Sequence, residues 1–211
     1  MRKLDFNYLP SLAYLITDFT KEELTPLLEE VEEIKKNPKN FVSYSNELIG
    51  QIKEEYELRN NLYQYLNDLL MPSIKGYIEE SKFFKHYCVL HNSTTLSLGR
   101  TWVNFQKKHE FNPVHNHTGL LSFVIWLEVP YDIESERQVH PGQNSPLRLE
   151  GSFSFHFVDS MGELSTHTIT IDKSMIYKCI IFPSKLSHSV NPFYSSDGSR
   201  ISVSGNFYFD N

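Results

Sequence analysis

The chain has 211 residues, 40% apolar, 14% aromatic and 22% charged, with a formal net charge of -6 and a pI near 5.8. That length suits one well-cored domain. The acidic balance gives no electrostatic footprint for a nucleic-acid backbone or an anionic membrane.

The first 84 residues read as a helical buttress. In "TKEELTPLLEEVEEIKKN" the residues Leu24, Leu27, Leu28, Val31 and Ile34 recur at spacings of three and four, which predicts an amphipathic helix with an acidic outer face. Thr20 and Glu23 have capping-box spacing, while Thr25 and Pro26 offer a competing start. A second stripe, Leu58, Leu62, Leu66, Leu69 and Leu70, predicts another helix that Pro72 ends or kinks before a shorter piece around Ile74 to Ile78. The acidic runs between these stripes read as solvated helix faces.

From residue 85 onward the pattern becomes short alternating or β-rich runs: "HYCVLH", "TLSLGRTWVNFQ", "LLSFVIWLEV", "GSFSFHFVD", "STHTITI", "YKCIIF" and "SRISVSGNFYF". Seven or eight strands broken by Gly, Pro, Asn and Ser predict a sandwich or jelly roll, an all-β core behind N-terminal helices. Phe153, Phe155 and Phe157 share one face, as do Ile201, Val203, Phe207 and Phe209. Residues 131 to 146 are polar and long for a hairpin loop, and read either as a lid or as a surface excursion. Cys88 and Cys179 lie within strand-like runs and not in a paired motif, so buried thiols in a reduced compartment are expected. No stretch approaches 18 uninterrupted apolar residues, and the N-terminus lacks a signal-like apolar core, so a soluble cytoplasmic location without membrane contact is expected.

Nine histidines occur, and most fall in strands or polar connections where they need no special role. His115 and His117 differ, because period-two geometry sends both to one face of a strand ahead of a long apolar run. His188 follows in "FPSKLSHSV", in what reads as a turn after an apolar strand, and Arg200 comes twelve residues later with Ser202 and Ser204 on its face. Three converging imidazoles can hold a divalent transition metal and leave positions open for substrate or oxygen. An arginine with a neighbouring hydroxyl can grip a small carboxylate. Metal and carboxylate grip together suggest a chelating keto acid. Asn104 shares a face with Trp102 and Gln106, a polar stripe that either contacts the keto acid or a metal-bound imidazole, or lies at a solvated strand edge. Trp126 and Phe123 read as core.

The order of "HNHTG", "FPSKLSHSV" and "RISVSGN" resembles the iron(II)- and 2-oxoglutarate-dependent oxygenases, and the phrases around them resemble small oxygenases of tailed phages. The resemblance implies a double-stranded β-helix, a cupin-like jelly roll, spanning residues 85–211 behind the helices of 1–84. It implies iron(II) on His115, His117 and His188, with the far carboxylate of 2-oxoglutarate on Arg200, assisted by Ser202. It also implies O₂-dependent hydroxylation of an unactivated C–H bond with release of succinate and CO₂, a protein side chain such as proline being the first substrate to consider. In one respect the chain departs from the pattern: the wider superfamily has an aspartate where this chain has His117. Three neutral imidazoles leave the metal site at +2, where a carboxylate would bring it to +1. Asp159 and Glu163 are acidic residues that could complete the shell. Two readings stand beside this one, a cupin-like three-histidine dioxygenase that needs no keto acid and a non-catalytic jelly-roll binding module.

Overall fold

The computed structural model describes residues 12–82 and 95–210. His86, Cys88 and His91, with the strand expected around them, lie outside the described residues. Among the described residues, ten strands form two facing antiparallel sheets. The larger runs β1 (Leu15–Asp18), β8 (Lys178–Pro183), β5 (Leu121–Glu128), β10 (Arg200–Phe209), β3 (Leu96–Gln106) and β2 (Glu55–Glu57); the smaller runs β4 (Asn112–His115), β9 (Ser187–Val190), β6 (Phe153–Val158) and β7 (Leu164–Ile169).

Two helices cover the outer face of the larger sheet. Helix α1 (Thr25–Lys36) buries Leu27, Val31 and Ile34, and α2 (Asn61–Ser81) buries Leu62, Leu66, Leu70, Ile74 and Tyr77. Their stripes meet Val103 and Phe105 of β3, Ile125 and Leu127 of β5, and Ile201 and Val203 of β10 in one apolar layer. A second layer fills the space between the sheets, built from Val124, Trp126, Phe153, Phe155, Ile180 and Phe182. Strand β5 is therefore buried on both faces, and so it reads as an unbroken apolar run without alternation.

Of the two candidate starts of α1, the one at Thr25 and Pro26 is used, and the Thr20–Glu23 pair closes a separate turn. Thr20 N–H donates to Glu23 Oε2 at 2.8 Å and Glu23 N–H to Thr20 Oγ1 at 3.2 Å, closing a turn just ahead of the helix, which then begins at Thr25 with proline in its first turn. Several expectations need correction. Helix α2 runs through Pro72 without ending, because Leu70 and Ile74 on either side are both fully buried against the sheet and packing outweighs one lost backbone bond. Leu58 precedes α2 and follows β2. The helical segment supplies both edge strands of the larger sheet, β1 and β2, which are too short to show a period. Residues 131 to 146 hold a third helix, α3 (Ile133–Val139), capped by Asp132 through Glu134 N–H at 3.1 Å. The carboxylate of Glu136, fully buried, fixes α3 by accepting from Tyr194 N–H at 2.7 Å and Ser195 N–H at 2.8 Å. Cys179 is buried in the helix-facing layer, and burial raises its thiol pKa. No helix among the described residues is long and apolar enough to cross a membrane.

Candidate metal centre

The cavity between the two sheets, of about 190 Å³, is where the sequence-selected residues meet: His115, His117, His188, Asn104, Arg200 and Ser202 all line it. Antiparallel register brings the histidines together. His115 at the end of β4 pairs directly with His188 of β9, so the two side chains leave the same face. His188 is thus on a strand, where a turn was expected; β9 is four residues long and polar apart from Val190, which hides it in the sequence. His117 lies beyond the end of β4, and its backbone N–H donates to Ser184 O at 2.8 Å, which holds it beside the pair.

One ligand atom from each imidazole can be chosen so that all three lie within 4.8 Å of one another. His117 Nε2 and His188 Nε2 are 3.2 Å apart, and the ring centroids are 4.3 to 5.0 Å apart. Two nitrogens bound to one ion at about 2.1 Å and at right angles stand about 3 Å apart, so the spacing fits a shared metal. Backbone carbonyls set the other edges of two rings: His115 Nδ1 is 2.7 Å from Pro113 O and His188 Nδ1 is 2.9 Å from Leu186 O. A carbonyl can only accept, so both Nδ1 atoms carry the proton and both Nε2 lone pairs face the centre. All three pKa values are lowered. Burial, followed by His115 and His117, holds His188 well down; burial, His115 and Lys185 bring His117 to about 4; burial lowers His115. Neutral imidazole is the form that ligates.

Apolar and aromatic groups wall the imidazoles. Phe153 stacks on His188 with centroids 5.4 Å apart, Phe182 meets it edge-on at 4.9 Å, and Trp102 lies 5.9 Å from His117. No carboxylate joins the cluster among the described residues. The carboxylate of Asp159 instead accepts from Met161 N–H, Glu163 N–H and Ser165 Oγ in the β6–β7 turn, and Glu163 lies in that exposed turn, so neither completes a metal shell.

The floor of the cavity is polar. Register places Glu55, Asn104 and Ser202 side by side across β2, β3 and β10, with Gln106 and Arg200 as the adjoining pair. Asn104 is therefore interior, because β2 covers the edge that sequence reasoning left open; its Nδ2 donates to Ser202 Oγ at 3.2 Å. Arg200 is 2% exposed and donates to Gln106, Tyr131 and the carbonyls of Gly151 and Asn191. Tyr131 had no signal in the sequence beyond its place in a polar segment, yet its hydroxyl bridges Arg200 and Ile171 O. Gly151 sits at φ 57°, and a Cβ there would clash with the Tyr131 hydroxyl, so the position beside this carbonyl favours glycine. Glu55 was not singled out either. It is 1% exposed, neither carboxyl oxygen has a partner among the described residues, and burial together with Glu110 raises its pKa to about 8. Above the floor, Leu48, Ile49 and Gly50 form a wall that ties back through Gln51 N–H to Phe111 O at 2.8 Å.

The model of the family described as "Putative 2OG-Fe(II) oxygenase" matches residues 100–206, half of the chain, and the match includes the three histidines and the arginine. The chain belongs to the 2OG-Fe(II) oxygenase family. No curated protein matches it by sequence. Among solved structures, the oxygenase is similar to a prolyl-4-hydroxylase of Pseudomonas putida (TM-score 0.56, 10% identity, 95% of each chain covered). It is also similar to the viral collagen prolyl hydroxylase of Paramecium Bursaria Chlorella virus-1, solved with 2OG (TM-score 0.52, 12% identity, 92% of this chain and 94% of that one). A third likeness is to the α-ketoglutarate-dependent epimerase SnoN of nogalamycin biosynthesis (TM-score 0.57, 13% identity, 94% and 77%). At such identities the likeness establishes the fold, a double-stranded β-helix. The oxygenase is an oxidoreductase of a family that uses iron(II), 2-oxoglutarate and O₂. Its own residues fit both groups: three neutral imidazoles facing one point for the metal, and a buried guanidinium with no carboxylate partner for an anion.

Proposed function

We propose that the oxygenase holds iron(II) through Nε2 of His115, His117 and His188 and anchors the far carboxylate of 2-oxoglutarate at Arg200. Ser202 and Asn104 supply the neighbouring hydroxyl and amide. The bound metal and keto acid together supply the oxidising chemistry that hydroxylates a C–H bond. The observation that carries this reading is the cavity itself, which has the three-histidine cluster in its wall and an uncompensated buried cation in its floor. The chain's part is to orient and to exclude water. Carbonyl bonds to His115 and His188 fix which nitrogen faces the metal; Phe153 and Phe182 cover His188, and Trp102 lies beside His117; Arg200 sets the direction from which a dicarboxylate enters.

We further infer that the acceptor is a protein or peptide side chain, proline first. The support is the match in size and coverage to two prolyl hydroxylases, and Ile49, an apolar residue of the cavity lining that is 59% exposed. An anaerobic titration with iron(II) and 2-oxoglutarate tests the cofactor arrangement through the visible charge-transfer band of the chelate. The parent protein develops the band; His188→Ala loses it with the metal, and Arg200→Ala needs far more 2-oxoglutarate to reach it. Unchanged spectra in both variants reject the assignment. Succinate release stimulated by proline-containing peptides, and not by peptides lacking proline, tests the substrate class.

A further inference from the structure

Arg200 is enclosed by neutral oxygens only. Its Nε and Nη2 both donate to Gln106 Oε1, at 3.1 and 2.6 Å; Nη2 also reaches Asn191 O at 2.9 Å, and Nη1 reaches Tyr131 Oη at 2.9 Å and Gly151 O. All five donors are engaged, and no carboxylate among the described residues pairs with the charge. The Nε/Nη2 edge is one along which a guanidinium receives a carboxylate bidentately. One amide oxygen fills that edge here. Its orientation is fixed from behind, because Gln106 Nε2 donates to Glu110 O at 2.5 Å. Gln106 and Arg200 are register partners on β3 and β10, and both line the cavity.

We propose that Gln106 holds the place of the keto acid's far carboxylate in the fork of Arg200 and yields it when the acid binds, so that Gln106 tunes the affinity for dicarboxylic keto acids and leaves that for monocarboxylic ones unchanged. This rests on the reading of Arg200 as the anchor. A neutral amide oxygen satisfies the N–H groups but leaves the buried charge uncompensated, whereas a carboxylate in the same fork adds an opposite charge and can accept along both N–H bonds at once. A carboxylate entering the fork supplies two oxygens and the missing charge, and outcompetes the amide. The displaced side chain has somewhere to go: Asn104 Oδ1, two residues earlier on the same face of β3, is buried and lacks a donor. A keto acid without a far carboxylate cannot make this exchange and meets an arginine that is already satisfied.

Calorimetric titration of 2-oxoglutarate and of pyruvate into the anaerobic iron(II)-loaded protein tests the exchange. Gln106→Glu places a permanent carboxylate in the fork and is expected to weaken 2-oxoglutarate binding by about tenfold or more, leaving pyruvate within about twofold. Gln106→Met fills the same space without an acceptor and is expected to bind 2-oxoglutarate at least as tightly as the parent. Equal losses in Gln106→Glu and Gln106→Met overturn the proposal by making Gln106 a strut for Arg200; unchanged binding in Gln106→Glu overturns it by placing the carboxylate elsewhere. Arg200→Ala separates the two levels. If it binds 2-oxoglutarate as the parent does, the anchor itself is wrong; if it binds weakly while Gln106→Glu binds normally, only the exchange is wrong.

Discussion

Glu55→Gln should make the protein more stable at neutral and alkaline pH, although it removes a buried ionisable residue. Glu55 lies opposite Asn104 on the cavity side of β3, both its oxygens lack partners, and the nearby Lys107 ammonium is 3.8 Å from the adjacent Glu54. Burial, with Glu110 adding to it, raises the carboxyl from 4.5 to about 8. The folded chain therefore retains a proton that the unfolded chain releases above pH 4.5. In that window the folded state binds more protons, so stability falls as pH rises from 4.5 to about 8 and is flat outside it. The slope is about 1.4 kcal/mol per pH unit, and the full span is roughly 5 kcal/mol, of which about 3 kcal/mol is already lost at pH 7. Glutamine keeps the shape, does not titrate, and brings an amide donor next to the orphaned Asn104 Oδ1. The assay is urea unfolding of chelator-treated parent and variant at pH 5, 6, 7 and 8, read as the difference between the two, in which the histidines cancel. The variant should gain steadily on the parent across that range. A flat difference would refute the reasoning and require a partner for the Glu55 carboxylate in the folded chain.

The histidines act in the opposite sense. Their folded values lie below 6.5, so they bind fewer protons when folded, and metal-free Glu55→Gln protein should lose stability as pH falls from 6.5 toward about 4; a chemical-denaturation series against pH that stays flat there would mean the imidazoles are not buried neutral. His117→Asp restores a carboxylate at the superfamily's position and should bind iron(II) no more weakly than the parent, while His117→Ala should lose on the order of tenfold or more, measured by chelator competition. Leu66→Ala, at a fully buried point where α2 meets the larger sheet, should cost about 2–5 kcal/mol in urea unfolding without altering the imidazole cluster, seen as unchanged metal affinity.

Much of this architecture is legible along the chain because its signals are local. The stripes of α1 and α2 and the alternation of β6 and β10 each reflect one face turned to a core, and periodicity records that directly. The elements that escaped are those whose identity depends on a distant partner. Strands β1, β2, β4 and β9 have three or four residues each and become strands only by pairing with β8, β3 and one another or with β6. The same holds at the site. His115, His117, His188, Arg200 and Ser202 carry chemistry that a spacing argument can weigh, whereas Gln106, Tyr131 and Glu55 are ordinary polar residues until register and burial give them neighbours.

The sequence by itself determined the family, the two-part helical and β-rich composition, and the residues proposed to hold a metal and a carboxylate, because these follow from side-chain chemistry and short-range period. Only the tertiary structure decided that His115 faces His188 across β4 and β9, that the imidazoles are held neutral, and that Arg200 lies buried with Gln106 in its fork. Those outcomes depend on strand register and desolvation, which arise when segments far apart in the chain exclude water together.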